Sequence, residues 1–353
     1  YRMTKSDILS IFKQYNEEEV FYKTYFENKK NKDLFKNFID NLDKNKIIEN
    51  ERIVPELFPD KIPNFIKEDN TFKKLSSRCI YLTKHYRYTP LFMHQHNFFE
   101  LVYVMSGTCE HYINNQKQIF KSGDLCIIAP LVSHGLLVED DSIIINIIIR
   151  KNIIENIIFN NLKDKSIISS FFLNNVYSKN EDTYLIFHTS NDKEIMHSVL
   201  DMYIEQIKDD EFTNDIIENM FSIFLNNLIR KYKDTVSYPN NFIIKGYNNF
   251  NIIKYIFNNY STITLAELSK KLNYSIPYCS QYIKNITGYT FTQLLKKIKF
   301  NKIEILLKES QLTINEISII VGYQNTENFI RAFKNEYKMT PTQFRKEQKL
   351  KKI

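Results

Sequence analysis

The sequence is poor in cysteine and in long apolar runs, and both shortages exclude classes of protein. The cysteines show no CxxC spacing, so we expect small buried thiols and no disulfide framework. The longest apolar run, Ile143–Ile149, has seven residues and contains Asn146, whereas a membrane span needs about 18–20. No apolar signal-peptide core follows Tyr1. We therefore expect a cytoplasmic protein without a membrane partner.

Glycine is also scarce, with six residues in 353. Where glycine is rare, each one is expected to meet a backbone need such as a positive φ or a close approach. Gly288 and Gly322 fall where a helix end and a tight turn are expected. Three others, Gly107, Gly123 and Gly135, cluster in one region that turns out to hold a second informative pattern.

The most informative feature is a pattern that occurs twice, about 49 residues apart. Glu267–Tyr274 and Glu316–Tyr323 are each a short amphipathic helix and a turn, followed by helical stretches at Ser275–Ile286 and Thr326–Tyr337. This is the layout of two helix-turn-helix motifs. The helix predicted between them, Thr292–Glu309, spans about 27 Å. It could place two recognition helices in successive major grooves of DNA.

Positive charge is concentrated in the same part of the chain. Residues 246–353 carry 17 Lys and Arg against 7 Asp and Glu, a net charge of +10, while residues 1–245 carry a net charge of −3. A solvated helical surface would not explain this segregation. A basic domain beside a mildly acidic one indicates a nucleic-acid-binding module joined to a domain of another kind.

The remaining periodicity predicts an α+β multidomain chain. We expect a helical N-terminal extension at 1–75, an antiparallel β-barrel or sandwich at 76–190, a helical segment at 191–236, a linker at 237–246 and an all-α domain at 247–350. The helical segment contains the predicted helices Lys193–Asp210 and Asn214–Lys231. The predicted strands are Ile80–Leu82, Glu100–Met105, Cys109–Ile113, Leu125–Ile128, Ile143–Ile149 and Thr183–Phe187.

Metal-ligand residue types gather within the β region. His94 and His96 stand at i and i+2, so on one strand they point to the same side, and Glu100 and His134 can complete the set. Three histidines and a carboxylate suit Fe, Mn, Ni or Zn. The alternatives are a metal-free pocket for an organic ligand and a set of polar side chains that satisfy one another. We expect no resident cofactor, with a divalent metal as the open possibility.

The predicted recognition helices each have a buried face and an outward face. Cys279 and Ile283 form the core pair of the first, and Phe329 and Phe333 that of the second. Arg331 is the leading base reader, since a guanidinium can pair with guanine, and Gln281 could pair with adenine. We expect Lys284 and Lys334 to hold phosphates. A surface salt bridge is the alternative role for Arg331. The outward positions, which are the predicted DNA contacts, are Pro277, Ser280, Gln281, Lys284, Thr326, Glu327, Ile330, Arg331 and Lys334.

Residues 76–348 resemble the AraC/XylS family of bacterial transcription regulators. The resemblance is most specific in Ile317–Lys334, followed by Met339-Thr-Pro341 and Phe344-Arg345, with Lys338 where the family usually has glycine. The β region resembles the cupin double-stranded β-helix. Its first motif has the family spacing from His94 to Gly107, and its second, Pro130–His134, is one residue shorter and lacks a glycine.

The resemblance implies a transcription regulator, more often an activator than a repressor, and not an enzyme. It implies an effector bound in a cupin-like barrel, flanking dimerisation helices that form a homodimer, and a tandem helix-turn-helix domain. The implied partners are double-stranded promoter DNA, RNA polymerase and a small effector. One alternative is a cupin metalloenzyme or metal sensor that uses His94, His96, Glu100 and His134. Another is an architectural protein that binds DNA without sequence preference.

Overall fold

The computed structural model describes residues 3–71, 78–151, 153–155, 157, 167–177, 183–190, 192–239 and 248–350. The chain divides into two compact units. One unit contains residues 1–71, 78–151 and 181–242, and the other contains residues 72–77, 152–180 and 243–353.

Four helices form the N-terminal part of the first unit, as predicted for this extension. Each begins after a side chain that accepts a hydrogen bond from a backbone N–H of the first turn; these caps are Thr4, Asn16, Asn31 and Asp43. Tyr25, Ile47 and Val54 form their buried core. A 3₁₀ turn at Pro59–Lys61 and a short helix α5, Glu68–Thr71, follow. The four helices are α1 Lys5–Lys13, α2 Glu17–Lys29, α3 Lys32–Asp40 and α4 Lys44–Glu49.

A cluster of charged side chains connects this extension to the sheet that follows it. The Glu19 carboxylate on α2 is fully buried and accepts hydrogen bonds from Lys84 Nζ at 2.7 Å and from Arg87 Nη2 at 2.8 Å. The Arg87 guanidinium also lies 4.0 Å from the ring centre of Tyr15. Buried charges require such pairing, because desolvation would otherwise make them costly.

Two antiparallel sheets and one short parallel pair make up the β part of the first unit. The larger sheet has the order β10-β7-β4-β9-β2, the smaller has the order β6-β5-β8, and β1 pairs with β3. These sheets confirm the predicted antiparallel β architecture. The strands are β1 Phe65–Ile66, β2 Ile80–Lys84, β3 Gln95–His96, β4 Phe99–Ser106, β5 Thr108–Ile113, β6 Gln116–Lys121, β7 Asp124–Ile128, β8 His134–Leu137, β9 Ile143–Ile149 and β10 Tyr184–His188.

The β5–β6 hairpin shows how the local sequence fixes the register. Asn114 and Asn115 have φ values of 49° and 63°, and Ile113 pairs with Gln116 across this two-residue loop. Both loop residues need a positive φ in a type I′ turn, and asparagine tolerates it. On β5 the buried residues alternate as Cys109, His111 and Ile113. His111 therefore points inward.

All six predicted strands are present, within two residues at either end. Strands β1, β3, β6 and β8 were not predicted, and β1 and β3 have only two residues each. Strand β6 is mostly polar and buries only Phe120 among its six residues, so its apolar period is weak. Strand β8 contains Gly135, whose absent side chain admits the Phe92 carbonyl oxygen; a Cβ there would lie 2.6 Å from it.

The segment between β9 and β10 clusters with the second unit. The predicted β domain at 76–190 includes this segment, whereas residues 152–180 belong to the same compact unit as the C-terminal helices. Its described helix, α6 Ile167–Tyr177, contacts the first of those helices and buries Phe171 and Phe172. Apolar burial at helical spacing is the physical reason for this association.

Two helices of the first unit follow the sheets and pack against each other: α7 Lys193–Lys208 and α8 Thr213–Tyr232. Both agree with the predicted helices within two residues. Phe212, Ile216 and Ile223 stay exposed, by 60%, 39% and 61%. The predicted linker at 237–246 lies largely outside the described residues, which end at 239 and resume at 248.

The second unit is helical, and its C-terminal part confirms the two predicted helix-turn-helix motifs. A buried core that includes Phe300, Ile317, Phe329 and Phe333 holds the second of them. Within the described part of the chain, no helix combines the length and apolarity needed to cross a membrane. The C-terminal helices are α9 Asn248–Asn258, α10 Leu265–Leu272, α11 Ile276–Thr287, α12 Phe291–Glu309, α13 Ile314–Ile320, α14 Thr326–Tyr337 and α15 Pro341–Leu350.

Candidate functional site

Both helix-turn-helix motifs begin with the same capping box. Thr264 and Thr313 each accept a hydrogen bond at 3.2 Å from the N–H of a glutamate three residues later. Those glutamates, Glu267 and Glu316, accept the threonine N–H in return, at 2.8 and 2.7 Å. This reciprocal pair satisfies two free N–H groups and fixes where each first helix starts.

The turns of the two motifs also share one geometry. Asn273 and Gly322 occupy the left-handed position, with φ values of 56° and 78°. The next residues, Tyr274 and Tyr323, each donate their N–H at 2.9 Å to the carbonyl five residues earlier. This is the bond of a Schellman-type helix end. The repeat in the sequence is therefore a repeat in backbone geometry.

The first recognition helix, α11, has the predicted faces. Cys279 and Ile283 are fully buried and Ile286 is 8% exposed. Of the predicted DNA contacts, Pro277, Gln281 and Lys284 are exposed and Ser280 is half-buried. Their role in binding DNA remains a prediction.

The second recognition helix, α14, buries Phe329 and Phe333 as predicted. Its outward residues Glu327, Arg331 and Lys334 are exposed, whereas Thr326 and Ile330 are half-buried. The Thr326 hydroxyl donates to Asn315 Oδ1 at 2.6 Å, and Ile330 packs on the apolar core of this motif. Thr326 and Ile330 therefore present less surface to solvent than their outward spacing on the helix predicts.

The two leading base readers are held by neighbours on their own helices. Arg331 Nη2 donates to Asn328 Oδ1 at 3.0 Å, and Gln281 Nε2 donates to Asn285 Oδ1 at 2.8 Å. No carboxylate of the described residues forms an ion pair with Arg331, so the predicted alternative of a surface salt bridge is not what holds it here. Both polar groups stay on the exposed face of the helix.

The lysines of the connecting helix, α12, have different surroundings. Lys296 pairs with Glu336 at 2.6 Å, and Lys297 Nζ donates to the Val176 carbonyl at 2.7 Å. Lys299 Nζ lies 3.4 Å from the Gly322 carbonyl oxygen. Burial lowers the pKa of Lys297 and of Lys299. Lys297 and Lys299 therefore stabilise the fold through hydrogen bonds to backbone carbonyls. Their basic character alone did not indicate this role.

The β region brings its predicted polar residues to one place around Glu100. Glu100 Oε2 lies 3.1 Å from His96 Nε2 and 3.2 Å from His134 Nε2, and all three side chains are buried. The ring centre of His94 lies 4.4 Å from that of His134. Ligand atoms of His94, Glu100 and His134 lie within 4.8 Å of one another. His96 joins this set through Glu100.

Strand pairing explains why His134 reaches the centre although its motif is short. The backbones of His94 and His134 exchange two hydrogen bonds of 2.9 Å. His134 also pairs with Ile113 of β5, which brings the buried His111 ring to 5.9 Å from the His134 ring. His111 is a member of this cluster that was not predicted. The available sequence signal was its place between Cys109 and Ile113, at alternate positions of the predicted strand.

Burial controls the protonation of the cluster. Desolvation lowers the pKa of His94 to about 3, and it lowers the pKa of His96 and of His111 as well. Burial would raise the pKa of Glu100, but the contacts with His134 and His96 outweigh it and hold that pKa well below its ordinary value. The cluster therefore combines an ionised Glu100 carboxylate with weakly basic imidazoles at His94, His96 and His111.

Comparison with known proteins agrees with this geometry in both parts of the chain. The model of the AraC-like ligand binding domain matches residues 76–188, and a helix-turn-helix domain model matches residues 268–347. The chain belongs to the AraC family. Within this family, the RhaS transcriptional activator of Mannheimia succiniciproducens is 27% identical over 260 residues, which is 71% of this chain and 88% of RhaS.

Other similar AraC-type sequences match a shorter part. The Msm operon regulatory protein of Streptococcus mutans is 31% identical over 87 residues, which is 25% of this chain and 31% of that protein. This chain therefore spans less than a third of that relative's length. The C-terminal domain of the response regulator AraT from Geobacillus stearothermophilus is 35% identical, covers 28% of this chain and 83% of its own, and gives a TM-score of 0.27.

Proposed function

We propose that this chain is a sequence-specific, DNA-binding transcription regulator that responds to a small effector in its β domain. The observation that carries the proposal is the duplicated recognition surface. The two motifs share the capping box of their first helix and the geometry of their turn, and their second helices expose polar side chains at equivalent positions, on the most basic part of the chain. An architectural binder would not need two matched reading faces.

The exposed residues divide into base readers and phosphate binders. Arg331 would read guanine through two hydrogen bonds, and Gln281 would read adenine. Their present partners are neutral side chains, so each can exchange these bonds for bonds to a base at little cost. Lys284 and Lys334 would bind phosphates and orient the helices without reading sequence. Pro277, Ser280, Thr326, Glu327 and Ile330 would complete the contact surface.

Exposed apolar side chains on the α7–α8 helix pair support the proposal that the chain forms a homodimer. Phe212, Ile216 and Ile223 form an exposed apolar stripe at the start and on one side of α8. The stripe would be covered by a second copy of the chain. A dimer would present four recognition helices and so bind DNA more tightly than one copy.

The regulator would act in the cytoplasm, on promoter DNA, and as an activator that recruits RNA polymerase. The sense of regulation rests on the likeness to RhaS, which is named an activator. Binding of an effector to the β domain would shift the population of DNA-binding conformations. In this proposal the β domain binds its ligand without converting it, so the chain is not an enzyme.

Selection of bound sequences from random duplex DNA with the full-length chain, at near-physiological salt, tests the proposal. Two short enriched blocks are expected. Arg331→Ala should cost about 1–3 kcal/mol on the selected site and relax the preference at one position. Arg230→Ala, which removes an exposed arginine of the first unit, is the control and should leave affinity unchanged.

Two results would contradict the proposal. Salt-sensitive binding without any enriched sequence would indicate an architectural binder. Equal weakening of Arg331→Ala on every DNA sequence would show that this side chain binds only the backbone.

A further inference from the structure

The first turn of the first recognition helix presents an apolar surface to solvent. Ile276 and Tyr278 of α11 are 49% and 54% exposed, and Pro277 between them is exposed as well. Single exposed apolar residues are common on folded proteins, whereas a contiguous apolar surface indicates contact with another molecule. The outward spacing that predicts Pro277 as a DNA contact leaves Ile276 and Tyr278 without a function.

The second recognition helix, α14, has polar residues at the same positions. The N-cap residues of the two helices are 50 residues apart, and each accepts a hydrogen bond from the N–H three residues later. Ile276 therefore corresponds to Thr326, and Tyr278 corresponds to Asn328. The Thr326 hydroxyl is bonded to Asn315. The helix architecture that the two motifs share does not itself require an apolar first turn.

Neighbouring rings hold the Tyr278 side chain in place. Its ring centre lies 4.8 Å from that of Tyr274 in an edge-to-face arrangement, and 6.1 Å from that of Tyr282 in a stacked one. Aromatic pairs prefer these two geometries. The exposed turn is therefore preformed, and little conformational entropy is lost when a partner binds to it.

The place of this surface on the helix indicates duplex DNA as its partner. Tyr278 lies one turn before the exposed Gln281 on the same helix, and residues 246–353 carry a net charge of +10. In a helix-turn-helix motif the N-terminal residues of the recognition helix contact the base edges. Helical side chains also tilt toward the N-terminus, so the Ile276 side chain extends toward the floor of the groove when the helix docks.

The major groove contains one group that suits an apolar side chain. The groups that distinguish the base pairs there are hydrogen-bond donors and acceptors, except for the C5 methyl of thymine. A donor or acceptor that faces an apolar side chain loses its water partner and gains none, which is unfavourable. The methyl group instead gains free energy from burial. Thymine is therefore the base that this surface favours.

We propose that Ile276 reads a thymine by packing against its C5 methyl group, while Pro277 and Tyr278 exclude water from the contact. This inference rests on the proposed function and adds a specificity-determining residue to it. Gln281 would pair with adenine, so Ile276 and Gln281 together make the first helix a reader of A·T base pairs.

Replacement of thymine by deoxyuridine tests the contact, because it removes the methyl group and keeps the base pair. The full-length chain is titrated with its selected site, and each thymine of the first block, whose sequence preference depends on Gln281, is replaced in turn. At one thymine the replacement should weaken binding about fourfold, which corresponds to the loss of one buried methyl group. With cytosine at that position, 5-methylcytosine should restore a similar factor.

Ile276→Ala tests the protein side of the same contact. This variant should bind the thymine site and the uracil site with equal affinity, and its Tm should match that of the wild type because the position is half exposed. Ile48→Ala removes an exposed isoleucine of α4 and is the matched control, which should discriminate as the wild type does. Uracil in the second block should affect the wild type and Ile276→Ala equally.

The outcomes separate this contact from the function on which it rests. The contact is refuted if the wild-type chain binds every uracil site as tightly as its thymine counterpart, or if the first block contains no thymine. It is also refuted if Ile276→Ala still discriminates between the two sites by about fourfold. A selection that enriches no block at all contradicts the proposed function, and the methyl contact with it.

Discussion

Gly322 in the turn of the second helix-turn-helix motif is the position where one added methyl group should cost most. Its φ is 78°, a conformation that side chains disfavour, and its missing side chain faces the backbone of Ser261. A Cβ at this place would lie 1.9 Å from the Ser261 carbonyl oxygen and 2.6 Å from its carbon. Both atoms are backbone, so no side-chain rotation can relieve the overlap.

Two unfavourable contributions to the folding free energy add in Gly322→Ala. The left-handed backbone costs an alanine about 1–2 kcal/mol. The overlap forces the turn away from Ser261 and disturbs Lys299, whose Nζ lies 3.4 Å from the Gly322 carbonyl oxygen and 3.5 Å from that of Ser261. We expect a total loss of about 3–4 kcal/mol, the size of a severe core substitution. That is a large part of the total stability of an ordinary domain.

Gly288→Ala is the matched control. Gly288 has a φ of 74° at the end of the first recognition helix, and it is exposed. It should show the backbone cost alone, about 1–2 kcal/mol. The equivalent position of the second motif already holds a non-glycine residue, Lys338, with a φ of 59°.

Native-state hydrogen exchange of the full-length chain, followed peptide by peptide, measures both substitutions because it reports local opening. Gly322→Ala should lower the protection of α13 and α14 and weaken binding to the selected DNA. A loss of protection no greater than that of Gly288→Ala would show that the turn can move away from Ser261, and would refute the reasoning.

Three other predictions concern the first unit. Glu19→Ala leaves the buried Arg87 and the half-buried Lys84 without their carboxylate partner, and it should lower the free energy of unfolding in urea by about 3–5 kcal/mol. The exposed Glu17→Ala should change that free energy by less than about 0.5 kcal/mol, and equal effects would contradict the buried cluster. Despite partial burial, hydrogen bonds from Lys231 and Tyr232 lower the pKa of Asp192 from 3.8 to about 2. The ionised Asp192 carboxylate therefore stabilises the folded state by about 1 kcal/mol after screening by solvent. This contribution is complete above pH 3.8 and is lost as the pH falls through 2. Asp192→Asn should remove this pH dependence from acid unfolding curves. Ile223→Asp should convert a dimer to a monomer in analytical ultracentrifugation, and a persistent dimer would place the contact elsewhere.

Local signals were sufficient for the helices of the second unit. The spacing of Cys279 and Ile283, and of Phe329 and Phe333, predicted the buried faces of both recognition helices, and all four residues are buried. Capping residues and the two turns lie within a few residues of the helices that they bound. A pattern of this kind needs no knowledge of distant contacts, so the sequence alone suffices.

Contacts between distant parts of the chain were beyond these local signals. The basic character of Lys297 does not distinguish it from surface lysines, but its Nζ donates to the Val176 carbonyl, 121 residues earlier. Ile330 has the spacing of an exposed residue, yet the core of its motif covers part of it. His111 belongs to no motif and reaches the cluster only because β5 pairs with β8. Each of these depends on tertiary packing.

The two recognition helices have the same geometry but different readers, and this leads to a last prediction. Lys284 and Lys334 occupy equivalent positions, so both helices can dock on the DNA backbone in the same way. The base readers differ, with Gln281 in the first helix and Arg331 in the second. We therefore expect one chain to select two unlike blocks, one with a critical adenine and one with a critical guanine.

Selection with single variants can separate the two blocks. Gln281→Ala should relax the preference in the adenine-containing block alone, and Arg331→Ala should relax it in the guanine-containing block alone. Lys284→Ala should instead weaken binding to every sequence and reduce the salt dependence. If either reader variant changes both blocks equally, the helices do not read DNA independently, and one of them would serve to position the other.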